Sequence, residues 1–216
     1  LDPITAAPRG LADAVHERLL DMLETRRLPA DTAVAERRLA TELGVSRTPL
    51  REALRRLEGE GWLGRRSDGT LAVRRLDVEE MLEVLQVRKL LEVEAAATAA
   101  GRIDPAALAE LRARVSALAA TREPRSPERE AVDLALHRLI GEACGNRTLA
   151  STIADLRRRT FLFATRRLPE RLEPVCAEHL AILNALESGD RDGARVAMGT
   201  HIDNTRAGIL RRLTES

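Results

Sequence analysis

Apolar residues in this chain recur mostly three or four positions apart, and that spacing commits it to helices. Leu11, Val15, Leu19, Met22 and Leu23 share one face of a first helix. Leu39 and Leu43 face inward from a short second one, over about Ala35 to Leu43, with Gly44 as the residue beyond its end. Leu50, Leu54 and Leu57 form the stripe of a third, with Ser46 as its N-cap and Pro49 tolerated in its first turn. Then the pattern breaks. Trp62 to Arg66 and Thr70 to Val73 flank the turn Ser67-Asp68-Gly69 and read as a β-hairpin. Three helices followed by a hairpin describe a winged helix-turn-helix.

The rest reads as helix only. Six segments, about 78–100, 105–121, 127–144, 147–167, 173–187 and 190–212, are separated by Gly and Pro signals such as Gly101, Pro105, Gly145-Asn146 and Ser188-Gly189-Asp190. The expected fold is therefore mainly α. It comprises an N-terminal winged helix-turn-helix over 1–76 and a C-terminal antiparallel all-helical bundle over 77–216. Residues 1–9 form a loose arm, and Arg74 to Asp77 is a linker short enough to couple the two parts mechanically.

Hydrophobic residues make up 44% of the 216 and aromatics only 1%, so Leu, Ala and Val must fill the core. Cys144 and Cys176 lie far apart without metal-type spacing, as buried thiols do in a reducing cytoplasm. No apolar run approaches the length of a membrane span, so the expectation is a cytoplasmic chain with no membrane contact. The net charge is +1, from about +2 in residues 1–76 (14 basic, 12 acidic) and about −1 in the remainder. A nucleic-acid surface must then be a local feature.

The third helix carries one. Opposite its leucines lie Ser46, Arg47, Thr48, Arg51, Arg55 and Arg56. The N-terminal residues of such a helix enter the major groove first. Arginine can bond guanine bidentately, while Ser and Thr hydroxyls anchor phosphates. Arg37 on the second helix can approach the same groove. Gly69 in the hairpin is small enough for backbone contact with a minor groove, beside Arg65 and Arg66 at phosphate. The competing reading is a solvated helix face whose arginines are absorbed by Glu52, Glu58 and Glu60.

Residues 36–61, ERRLATELGVSRTPLREALRRLEGEG, resemble the helix-turn-helix of the GntR family of bacterial transcription regulators. The resemblance implies that Arg37, Arg47, Thr48 and Arg51 contact operator DNA and that Gly69 reaches the minor groove; Ser46 joins them as a candidate from its place at the start of the third helix. Two departures stand out. Ala35 replaces the Ser that caps the second helix in many members, and the wing RRSDGT lacks the usual Gly-Arg-Gly run.

A second constellation lies in the bundle. Asp133 and His137, in VDLALH, are four apart and so share one helix face. His179 and His201 each stand 11 residues from Asp190 (190 − 179 and 201 − 190). In an antiparallel hairpin both lie roughly 16 Å from the turn and face one another. His16, the fourth histidine, is expected to be exposed. One carboxylate and three imidazoles suit Zn, Ni, Co or Fe, and the carboxylate keeps Mn open. Four ligands can close a tetrahedral site; five or six positions would leave room for water or a chelating ligand. Otherwise the three histidines are unrelated core or surface residues.

The C-terminal part resembles the FCD ligand-binding domain of the FadR subfamily in its shorter six-helix form, through VRKLLEVEAA, DLALH, EHLAILNALESGD and MGTHID. That resemblance implies one divalent metal ion per chain (Zn, Ni or Mn) on Asp133, His137, His179 and His201. A metal with free positions suits a small carboxylate effector, with Arg88 as its clamp and Arg138, Arg158 or Arg159 nearby; the competing reading of Arg88 is a surface arginine paired with Glu92, four residues on. Members that bind acyl-CoA lack the quartet. The expected protein is not an enzyme. It is a transcription regulator, read as a repressor, that binds palindromic double-stranded operator DNA as a homodimer, because one three-helix module makes few base contacts. Two other readings remain: a constitutive DNA binder with a purely structural metal site, and a metalloenzyme with an appended DNA-binding domain.

Overall fold

The computed structural model describes residues 10–25, 27–75, 77–121, 127–160 and 171–214. They form two compact units, one of the residues up to Val78 together with residues 158–160, the other of Glu79–Arg157 and the described residues from Arg171 onward.

In the first unit, α1 (Leu11–Glu24), α2 (Glu36–Leu43) and α3 (Arg47–Gly59) precede an antiparallel hairpin of β1 (Leu63–Arg65) and β2 (Leu71–Val73). Leu63 pairs with Val73 and Arg65 with Leu71. The segment before α2 runs along the other edge of β2 through a bridge between Ala33 and Ala72. The leucine stripes do what their spacing requires except at Leu11, which is exposed: Val15, Leu19, Met22 and Leu23 of α1 are buried, as are Leu39, Leu43, Leu50, Leu54, Leu57 and Trp62. His16 corrects an expectation. It is buried between these rows, and its Nε2 finds Glu60 Oε2 at 2.8 Å, just past the end of α3.

Gly44 ends α2 in the left-handed conformation (φ 66°), and the turn into α3 depends on it. An alanine there would meet the Cβ clash of that region, so Gly44→Ala is expected to cost the first unit about 1 kcal/mol. The fluorescence midpoint of Trp62 in urea should fall accordingly; an unchanged midpoint would mean that the turn relaxes at no cost.

Ser46 has the extended backbone of an N-cap, yet its hydroxyl makes no capping bond. The reason lies in the sequence. A cap oxygen usually accepts from the second or third helical N–H, and here the third residue is Pro49, which has none. The hydroxyl is left exposed at the start of α3.

The second unit is built from α4 (Val78–Ala99), α5 (Pro105–Thr121), α6 (Pro127–Ala143), α7 (Arg147–Thr160) as far as Arg157, α8 (Leu172–Ser188) and α9 (Arg191–Thr214). Helix α8 packs against both α5 and α9, and α5 against α6. Ala95, Ala96, Ala97 and Ala99 at the end of α4 are all buried, which small side chains permit. The α8–α9 turn uses Gly189 in the left-handed region (φ 71°), then Asp190, whose carboxylate accepts the Gly193 N–H at 2.9 Å and so caps α9. The expected arm over 1–9 and the expected continuation of α7 to 167 lie outside the described residues. No described helix is long and apolar enough to cross a membrane.

Candidate metal centre and nucleic-acid interface

Every residue expected to face DNA is exposed: Arg37 on α2, Ser46, Arg47, Thr48 and Arg51 at the start of α3, and Gly69 in the hairpin turn (φ 81°). The buried side of α3 is Leu50, Ala53, Leu54 and Leu57, so the arginines occupy the opposite face. The neighbouring acids absorb only some of them, and not those at the expected spacing. Arg51 Nε donates to Glu36 Oε2 at 2.8 Å, Arg56 pairs with Asp13, and Arg65 reaches Glu58 at 2.9 Å. Arg37, Arg47 and Arg55 make no ion pair among the described residues. Exposed pairs such as Arg51–Glu36 contribute little stability, so a phosphate can exchange for the glutamate at small cost.

In the second unit, α6 supplies Asp133 and His137, α8 supplies His179 and α9 supplies His201. One ligand-type atom from each lies within 4.8 Å of every other. The α8–α9 turn sets the equal heights, and the His179 and His201 rings stand 4.9 Å apart. All three histidines are buried, while the Asp133 side chain keeps 38% of its surface exposed.

The hydrogen bonding leaves the facing atoms open. His137 donates from Nδ1 to Glu92, and His201 from Nδ1 to Glu178 Oε2 at 2.8 Å. Each acceptor is a carboxylate, so each ring carries its proton on Nδ1 and its lone pair on Nε2. A carboxylate on the outer nitrogen orients a metal-binding imidazole and raises its basicity. His137 Nε2 and both ring nitrogens of His179 are buried with no hydrogen-bond partner among the described residues. They lie near Asp133 Oδ1, His137 Nε2 at 3.8 Å and His179 Nε2 at 3.4 Å. Buried polar atoms normally find partners, and His137 Nε2 and His179 Nε2, both partnerless and both beside Asp133 Oδ1, fit a cation held among them.

Charge around the site is arranged in pairs. Arg157 donates to Asp133 Oδ2 at 2.6 Å and stands 3.8 Å from Glu92. Arg88 donates to Glu92 Oε1 at 2.6 Å. Glu178 is held by Arg171 and by Asn204 at 2.8 Å. Burial works to raise the Glu92 and Asp133 carboxyls, but Arg88 beside the one and Arg157 beside the other hold both below the usual carboxylate range. Burial pushes His137 down to about 3 and lowers His179 as well, so both are neutral and able to bind a metal.

Arg88, expected as an effector clamp, is buried and engaged with Glu92, one residue removed from the ligand set. Of the other arginines proposed nearby, Arg138 is exposed and pairs with Glu142. The guanidinium that touches a ligand is Arg157. Sequence reading missed Arg157, Glu178 and Arg171, and it read Glu92 only as a surface partner. The available signal was the Arg88/Glu92 spacing of four, the same one-face spacing that singled out Asp133 and His137.

Two family descriptions match the chain: "Bacterial regulatory proteins, gntR family" over residues 11–73 and "FCD domain" over 83–204. An Escherichia coli (strain K12) protein named for regulation of the L-lactate dehydrogenase operon is 30% identical over 221 residues, covering 90% of this chain and 84% of that protein. A Paenarthrobacter nicotinovorans protein, named as the probable D-xylose utilization operon transcriptional repressor, is 30% identical over 198 residues, covering 89% and 85%. Among solved structures, E. coli McbR/YncC superposes with a TM-score of 0.80 at 25% identity, over 94% of this chain and 99% of that one. The chain is thus a DNA-binding transcription regulator rather than an enzyme, and it belongs to the GntR family with an FCD domain as its C-terminal part.

Proposed function

We propose that this regulator binds a palindromic operator as a cytoplasmic homodimer, and that a small organic acid bound at a divalent metal in the FCD domain changes its operator affinity. Residues 1–76 would be the DNA-binding domain and 77–216 the effector domain. Asp133, His137, His179 and His201 would hold the metal, which supplies a cation for chelation by the acid. The observation that carries this reading is the convergence of four ligand-type atoms from three helices within 4.8 Å, with partnerless buried nitrogens among them. Zn, Ni and Mn all suit such a donor set. The effector must prefer one arrangement of the dimer if it is to alter DNA binding.

Elemental analysis of the purified, tag-free protein tests the metal: about one divalent ion per chain is expected, lost in His179→Ala. No retained ion after incubation with Zn, Ni and Mn would sink the site. On the DNA side, Arg47, Ser46, Thr48, Arg51, Arg37 and Gly69 are the proposed contacts. Arg47→Ala should weaken binding to an operator fragment selected from a random duplex pool by about tenfold or more at fixed salt. Arg138→Ala, an exposed change in the other unit, should leave it unchanged. Equal affinities for the two variants would remove Arg47 from the interface.

The rival of a constitutive binder with a structural metal has support in the burial of the three histidines. It predicts operator affinity indifferent to every small acid, whereas the exposed flank of Asp133 offers an effector a way in.

A further inference from the structure

The side chains around the four candidate ligands cancel in charge. Asp133 faces Arg157, Glu92 faces Arg88 and Glu178 faces Arg171. Five of these six are shielded to 10% exposure or less, Asp133 being the exception. Metal binding requires neutral imidazoles, so His137, His179 and His201 add nothing. Three carboxylates against three guanidiniums sum to zero among the described residues.

A divalent ion therefore brings two positive charges into a shielded site whose three carboxylates are each already matched by a guanidinium. Charge left uncompensated in such surroundings is strongly unfavourable. One carboxylate from solution would halve the excess, and two would remove it. Resting on the reading that the quartet holds a divalent metal, we propose that the effector is a small dianionic chelator, of the dicarboxylate class, rather than a monocarboxylate or an uncharged sugar. Asp133 is the ligand with solvent access, and Arg157 beside it is the nearest cation for a second carboxylate to meet. Arg157, which touches the candidate ligand Asp133 directly, thus takes the clamping role in place of Arg88, which stands one residue behind the ligands against Glu92.

Oxalate, glycolate and ethylene glycol step the ligand charge, and the free ion serves as the reference for their differing donor strength. Each presents two oxygens across two carbons, as a dianion, a monoanion and a neutral molecule. Their affinities for the metal-loaded full chain would be measured by calorimetry, with metal content checked before and after. The same ratios would be measured for the free ion in buffer. Oxalate is expected to be favoured over glycolate on the protein by about tenfold or more beyond its preference for the free ion. By linkage, oxalate should also raise the protein's metal affinity, measured at equilibrium against a competing chelator, more than glycolate does. A ratio no larger than that of the free ion, or removal of the metal by oxalate, would overturn the dianion inference and leave the metal site standing. Failure of the protein to retain Zn, Ni or Mn would overturn the metal reading first and this inference with it.

Discussion

Glu92→Ala is expected to destabilise the metal-free second unit by about 3–5 kcal/mol, the usual cost of removing one partner from a buried ion pair. The side chain of Glu92 is 2% exposed and serves two groups at once. One oxygen accepts from Arg88, itself buried, and the other from His137 Nδ1. Removing the carboxylate leaves a shielded guanidinium without its counter-charge and an imidazole N–H without an acceptor. Glu92→Gln keeps an acceptor but not the charge, and should fall between the two. Replacing both members, Arg88→Met with Glu92→Met, should recover most of the loss, since the desolvation cost of both ions disappears together.

Urea unfolding followed by far-UV ellipticity measures this. Trp62, the only tryptophan, lies in the first unit, so its fluorescence is an internal control that should not move. A loss below about 1 kcal/mol would show that water already compensates the pair. The same substitution bears on function. Glu92 fixes the His137 tautomer, so metal affinity should drop about 10- to 100-fold even where the variant folds.

What the sequence could reveal was whatever depends on period and distance along the chain. The stripes of α1 and α3 followed from spacing, and so did the helix–helix–helix–hairpin order. The quartet was legible for the same reason. Asp133 and His137 are one turn apart, and His179 and His201 are equidistant from a turn marked by Gly189-Asp190. What stayed hidden depends on helix phase relative to neighbours in space. Arg157, Arg158 and Arg159 differ by about 100° of rotation each, and only packing decides that Arg157 meets Asp133. Arg88 and Glu92 looked like a surface pair because one face of α4 cannot be told from another: its alanine-rich end is buried nearly all round. The missing cap at Ser46 was legible in principle, since Pro49 at the third helical position withholds the N–H.

The other large effect is stabilisation by the metal itself. An ion that binds only the folded chain adds about 4 kcal/mol at a thousandfold excess over its dissociation constant. Chelation should therefore lower the thermal midpoint of the second unit by several degrees, and metal should restore it. His179→Ala separates this gain from ordinary packing. In the metal-free protein both ring nitrogens of His179 are buried without partners, a state that costs free energy, so removing the ring relieves a penalty while opening a cavity. The two effects oppose, and the metal-free variant should lie within about 1–2 kcal/mol of the natural chain. With metal present the natural chain should gain and the variant should not.

Acid acts in the same direction. His137 titrates near 3 when folded and near 6.5 when not, so between those values the unfolded chain binds the extra proton. Its contribution is complete above about pH 6.5 and is lost as pH falls towards 3, while protons also compete with the metal for the imidazoles. A variant as metal-responsive as the natural chain would remove His179 from the ligand set. A variant far less stable without metal would mean that His179 is a packing residue first, and that its partnerless nitrogens have water rather than an ion to satisfy them.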